Sequence, residues 1–253
     1  MATLDKNLLK NAILALPLFR RYEIHNKTKL VAFPEISVEM QKIGSQILEK
    51  ELTMTSVRNL SFTAVIAEQI MKANLPGDFV EVGVWRGGHL IMAAAALHGK
   101  KKVLGFDTFS GMTEPDESEV NLFSGKKAVT RYQELKKGGW KPASRYEVQE
   151  SIKSFGIPSE HFSLIEGDVI STFASYPLPE KISVLRIDLD WYQGTRHTLE
   201  VLYPIVTSGG VVIIDDYGSW SGARDAVVEY LNAINYHPVL FPIDGGAVFF
   251  VKS

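Results

Sequence analysis

The sequence predicts an α/β protein: a doubly wound parallel sheet that ends in an antiparallel hairpin and is preceded by a helical extension. Three observations carry this. Short apolar runs alternate with helix-length segments through the middle of the chain. Those runs are bounded by Gly, Pro or acids, which is how strands buried on both faces read. Near the C-terminus two apolar runs meet at Asp244-Gly245, a strong hairpin signal.

In chain order, the extension covers residues 1–75. It contains two amphipathic stretches, Ser37–Lys50 and Thr55–Ala73, with Thr53, Thr55 and Ser56 placed to cap the second. Nothing in it reads as a linker. The main domain covers 76–253. Its strands are expected at Asp78–Val84, Val103–Asp107, Ser163–Gly167, Ile182–Asp188 and Gly210–Ile214. Helical segments follow at about 89–99, 191–205 and 221–235, so the crossovers are right-handed and the sheet parallel. The hairpin pairs Pro238–Ile243 with Gly246–Val251. Residues 112–160 are polar and far longer than an ordinary crossover, which reads as an acceptor-side lid or binding loop, with a disordered segment or a solvated surface helix as the alternatives.

Composition narrows the function. Of 253 residues, 45% are hydrophobic, enough for a large core. The net charge is −2, so no global basic field for nucleic acid exists. There is no cysteine, which excludes disulfides and thiolate chemistry. No apolar run approaches the roughly 20 residues of a bilayer span, and no signal peptide is evident, so a cytoplasmic protein is expected.

The first strand leads into Glu81-Val82-Gly83-Val84-Trp85-Arg86-Gly87-Gly88. Glycines there allow a tight turn and close approach of a ligand to a helix N-terminus. Trp85 stands where a dinucleotide fingerprint needs its second glycine, which argues against NAD and FAD. S-adenosylmethionine, without a pyrophosphate, remains compatible. Asp107 ends the second strand, suitably placed for ribose hydroxyls; Asp168 follows the third, facing an adenine amino group. Either acid could instead cap a helix.

Strands four and five run into Asp188-Leu189-Asp190 and Asp215-Asp216. In a parallel sheet these ends share one edge, so Asp188 and Asp215 become neighbours. Clustered carboxylates repel unless a cation sits among them. An oxygen-only donor set suits Mg²⁺, with Ca²⁺ or Mn²⁺ as alternatives; an unmetallated, proton-sharing pair or helix caps are the bland readings. A metal would activate a hydroxyl, with Asp188 as ligand and base. His89 and His197 are alternative bases.

The stretches 76–88, 103–112, LRIDLDWYQGT (185–195), LYPIVTSGGVVIIDDYGSW (202–220) and GARDAV (222–227) resemble the TylF/macrocin O-methyltransferase family, over roughly 52–251. The resemblance implies a Rossmann-like class I methyltransferase fold, dependence on S-adenosylmethionine and Mg²⁺, and methylation of a sugar hydroxyl on a natural product or a nucleotide sugar. It further implies that Asp188, Asp215 and Asp216 hold the metal, with Asp188 as general base. Glu81, Gly83, Asp107, Ser110 and Asp168 would contact the cofactor. Met54 and Thr55 join them, from a segment similar to the family's cofactor-covering motif. Gly194 and His89 stand where relatives would carry Ser. The competing functions are a catechol-type O-methyltransferase and a non-catalytic binder. If the acceptor is a nucleotide sugar, Lys126, Lys127, Arg131, Lys136, Lys137 and Lys141 are the candidates to meet its diphosphate. A homo-oligomer built through the N-terminal helices is a further expectation.

Overall fold

The structure, a computed structural model, describes residues 36–138 and 141–253. The first 35 residues of the predicted extension, and Gly139 and Trp140 of the insertion, lie outside them. Two helices come first, α1 (Val38–Glu49) and α2 (Val57–Lys72). Ser37 caps α1 by accepting from the Met40 amide, and Ser56 caps α2 by accepting from Asn59. Of the three predicted caps for α2, Ser56 alone serves; Thr55 turns elsewhere.

The sheet alternates β1 (Asp78–Val82), α3 (Gly88–Leu97), β2 (Val103–Asp107), β3 (Phe162–Glu166), α6 (Val169–Ser175), β4 (Ile182–Ile187), α7 (Tyr192–Leu202), β5 (Val206–Ile214), α8 (Ser221–Ala233), β6 (Phe241–Pro242) and β7 (Val248–Val251), with the insertion's α4 (Ala128–Lys137) and α5 (Arg145–Ser154) between β2 and β3. The strand order is β3-β2-β1-β4-β5-β7-β6. β1 to β5 are parallel, and β7 runs antiparallel between β5 and β6. The chain order reverses between β1 and β4, so the β1 and β4 carboxyl ends flank the switch point where such sheets bind ligands.

Three details differ from expectation. β5 starts at Val206, because Thr207–Gly209 continues the strand; Gly209 N–H donates to the Lys252 carbonyl. β6 shrinks to two residues, since the Asp244 carboxylate binds the Gly246 and Ala247 amides and closes the turn early. α6 follows Asp168 as the helix-cap alternative had it, and the insertion holds two helices where the alternative reading had one surface helix.

Strand alternation sorts the core into two layers. Phe79, Val184, Val211 and Ile213 pack with α1, α2 and α3. Val80, Val82, Leu185, Ile187, Val212 and Ile214 pack with α6, α7 and α8. Val148 and Ile152 anchor α5 in the first layer, while α4 buries only Ala128. No helix among the described residues is long and apolar enough to cross a membrane.

Candidate active site

A cavity of about 660 Å³ opens at the carboxyl edge of the parallel strands. Its walls include Glu81 and Gly83 after β1, Asp107 and Thr108 after β2, Gly167 to Ile170 after β3, Asp188 to Trp191 after β4, and Asp215, Asp216 and Ser219 after β5.

The Gly turn has a specific backbone reason. Gly83 adopts φ +89, and a Cβ there would overlap the Asp188 carbonyl oxygen. Only glycine lets β1 and β4 end this close together. Asp107 then fixes the turn: one carboxylate oxygen accepts from Val84 N–H (2.7 Å) and Trp85 N–H (2.9 Å), the other from Phe109 N–H (2.8 Å). Asp168 caps α6, accepting from Ile170 N–H at 2.9 Å, and lines the cavity as well. Gly88 presses against Leu52 and Thr53, and its N–H donates to the Leu52 carbonyl, so the 52–55 segment lies over the start of α3. Met54 lines the cavity and is two-thirds exposed. Ser110 is exposed and is not part of the cavity wall, unlike its neighbours Thr108 and Gly111.

The carboxylates of Asp188, Asp215 and Asp216 each bring one oxygen within 4.8 Å of the others. Arg186, fully buried, lies beneath them. Its Nη2 is 2.8 Å from Asp215 Oδ1 and 3.1 Å from Asp188 Oδ2, and its Nε is 3.5 Å from Glu81. Asn59 Nδ2 donates to the same Asp215 oxygen at 2.6 Å. Burial alone would lower the guanidinium pKa; Asp215, Asp188 and Glu81 outweigh it and raise it. One cation does not satisfy all these acids. Desolvation, then repulsion from Asp215, holds the Asp188 carboxyl well above the usual range. Asp216 is raised the same way, by desolvation and by Asp190, Asp188 and Asp215. Asp190 is pushed up to about 7, by desolvation and then Asp215. Glu81 reaches about 8, because burial outweighs the pull of Arg186. The buried Asp216 Oδ2 has no hydrogen-bond partner. Three converging carboxylates, a buried Asp216 oxygen without a hydrogen-bond partner and an excess of negative charge fit a divalent cation.

His89 is buried. Arg186 Nη2 can only donate, so His89 Nε2 (3.1 Å away) carries the lone pair and Nδ1–H donates to Thr63 Oγ1 at 2.8 Å. Thr55 Oγ1 also meets Nε2, at 2.8 Å. Burial, with Arg186 adding to it, holds the ring pKa well below the usual value, so the ring is neutral. His197 stacks on Phe173 and is not part of the cavity wall.

Sequence reasoning missed Arg186, Asn59 and Glu119. An arginine inside the apolar run VLRI was a readable signal, since a buried charge needs partners. Asn59 gave none. Glu119, from the insertion, is 4% exposed, lines the cavity and is raised by burial.

Comparison with known proteins agrees with this geometry. The family model described as Macrocin-O-methyltransferase (TylF) matches residues 5–252. The 8-demethyl-8-(2,3-dimethoxy-alpha-L-rhamnosyl)-tetracenomycin-C 4'-O-methyltransferase of Streptomyces olivaceus is 32% identical over 202 residues, covering 78% of this chain and 74% of that protein. The structure of the O-methyltransferase NovP superposes with a TM-score of 0.69 at 30% identity, covering 79% of this chain and 82% of NovP. CalS11, described as a TDP-rhamnose 3'-O-methyltransferase, shares the fold at 24% identity, with a TM-score of 0.54 over 86% of this chain and 87% of that one.

Proposed function

The chain belongs to the TylF macrocin O-methyltransferase family, so it is an S-adenosylmethionine-dependent O-methyltransferase, and from that premise we propose that it methylates a sugar hydroxyl with Mg²⁺ held by Asp188, Asp215 and Asp216. The observation that carries the metal is the convergence of three carboxylates just past the ends of β4 and β5, with Asp216 also holding a buried oxygen that has no hydrogen-bond partner. The sugar acceptor draws support from the relative that acts on a rhamnosyl group.

The metal, when bound, supplies a Lewis acid that makes a hydroxyl acidic near neutral pH. The cofactor supplies an electrophilic methyl on a cationic sulfur, a charge suited to an acid-lined cavity. The chain's own residues do the rest. Arg186 and Asn59 lock Asp215 in one orientation from below. Asp107 holds the Gly turn in the shape that lets a cofactor approach the start of α3. The 52–55 segment lies over that start, where it would shield the donor from water.

Sequence reasoning assigns Asp188 both metal binding and proton acceptance. We divide these tasks. Asp188 is engaged by Arg186 and belongs to the three-oxygen group, which supports the role of ligand. Asp190 lines the same cavity outside that group, with no guanidinium contact among the described residues, which supports it as the proton acceptor.

Product mass spectrometry over a panel of glycosides, with and without chelator, tests this reading. EDTA should stop transfer and Mg²⁺ restore it. Asp188→Asn should lose metal-dependent turnover while keeping S-adenosylhomocysteine binding, and Asp190→Asn should keep both metal and cofactor yet turn over at least 100-fold more slowly. Full activity in chelator would refute the metal. Transfer to catechols in preference to sugars would favour the phenolic alternative.

A further inference from the structure

The His89 ring, 4% exposed at the start of α3, joins three other parts of the chain. Its Nδ1–H donates to Thr63 Oγ1 inside α2 at 2.8 Å, and the Thr63 hydroxyl donates in turn to the Asn59 carbonyl at 3.5 Å. Its Nε2 faces Arg186 Nη2 of β4 at 3.1 Å and Thr55 Oγ1 at 2.8 Å. That same Arg186 nitrogen holds Asp215 and Asp188.

The direction of each bond follows from Arg186. A guanidinium only donates, so Nε2 offers its lone pair and the Thr55 hydroxyl must donate to it as well. Thr55 Oγ1 is then free to accept from the Thr53 hydroxyl at 3.0 Å, and Thr53 Oγ1 accepts from Thr55 N–H at 3.2 Å. Every hydroxyl in the series has a place for its proton, which a buried polar network requires.

The segment that this network reaches is the one lying over the start of α3. Its backbone is held at Leu52, whose carbonyl accepts from Gly88 N–H, and at its far end Ser56 Oγ donates to Asp244 Oδ2 at 2.5 Å. Between these points Met54 stands two-thirds exposed on the cavity. Of residues 53–55, only Thr55 has a side-chain hydrogen bond reaching beyond the segment, among the described residues.

We propose that His89 is a positioning residue that fastens the donor-covering segment, through Thr55, to the Arg186 knot. Thr55 serves the cofactor by holding its neighbours over the cavity. Its one hydroxyl proton goes to the ring. This rests on the reading that the segment covers the donor, and it supplies the tie that keeps the cover in place.

Calorimetry with S-adenosylhomocysteine on the full chain tests it, across the wild type, Thr55→Val, His89→Leu and the double variant. Thr55→Val should weaken binding about 5–10-fold, the net worth of one hydrogen bond. In the His89→Leu background the same change should cost nothing further. An undiminished loss in that background means that the Thr55 hydroxyl meets the cofactor itself, and overturns the tie. His89→Gln carries an amide oxygen that can accept where Nε2 does, so it should recover most of the affinity lost in His89→Leu; a Gln variant as weak as the Leu variant overturns the role given to the ring. Amide hydrogen exchange on cofactor-free protein needs no His89 variant, and it decides alone should His89→Leu not fold. There Thr55→Val should speed exchange at residues 53–56 about fivefold or more. A lost cofactor contact cannot change that rate, and an unchanged rate overturns the proposal. A wild type that binds no S-adenosylhomocysteine would remove the donor reading as well, whereas the other adverse outcomes overturn this proposal alone.

Discussion

On β4, Leu185 and Ile187 enter an apolar layer with Leu199, Leu202 and Phe250, whereas Arg186 points to the opposite face, among Glu81, His89 and the strand-end carboxylates. Both faces are dry, but they are held together differently. The α6–α8 face is stabilised by burial of apolar surface. The α1–α3 face carries an ionic knot at its carboxyl end, where one guanidinium answers several acids and His89 braces it from α3. Buried ion pairs are weak stabilisers in themselves, and the proposed cation site above the knot is what would use its convergent negative charge. One face therefore serves stability, and on the proposed reading the other trades some of it for function.

The largest way to break this contrast is Arg186→Met. It leaves Glu81 and Asp215 without their cation and should lower unfolding free energy in urea by about 3–5 kcal/mol, with metal affinity lost as well. A drop under 1 kcal/mol would show that the knot is not held as described. Leu185→Ala, one residue away on the other face, should destabilise by about 2–5 kcal/mol through its cavity yet keep the activity of each folded molecule.

Acidity gives the next effect. Glu81 is raised to about 8 and Asp190 to about 7, so between the usual carboxylate range and pH 8 the folded chain holds more protons than the unfolded one. Stability of metal-free protein should therefore fall as pH rises from 5 to 8, by an amount on the order of a few kcal/mol. Mg²⁺ should flatten the slope, because it replaces those protons. A melting temperature that rises over that window without metal would contradict the raised values.

The smallest is Asn59→Ala. It removes the donor that orients Asp215, and Mg²⁺ affinity should fall about 10–100-fold with the fold retained, as read by calorimetry.

The two faces also differ in how legible they were. The apolar strands, the Gly turn and the acids at strand ends stand out in the chain because period, spacing and residue type coincide there. Asp168 could be read as cofactor contact or helix cap, and it caps α6 from the cavity wall; local pattern cannot rank two jobs that suit the same carboxylate. Asn59 and Glu119 were hidden. Each meets its partner across more than 70 residues of chain, at 156 from Asn59 to Asp215 and 73 from Glu119 to Tyr192, and only tertiary packing decides that. The start of β5 was misread because Thr207, Ser208 and Gly209 look like a turn, while pairing to Lys252 keeps them in the strand.

The account stands most directly on the three carboxylates acting as one cation site. Titrating Mg²⁺ into the S-adenosylhomocysteine complex by calorimetry should show one ion per chain in the wild type and none in Asp216→Asn, whose folding is checked by circular dichroism. A wild type that takes up no ion, or a variant that binds it undiminished, would contradict the account.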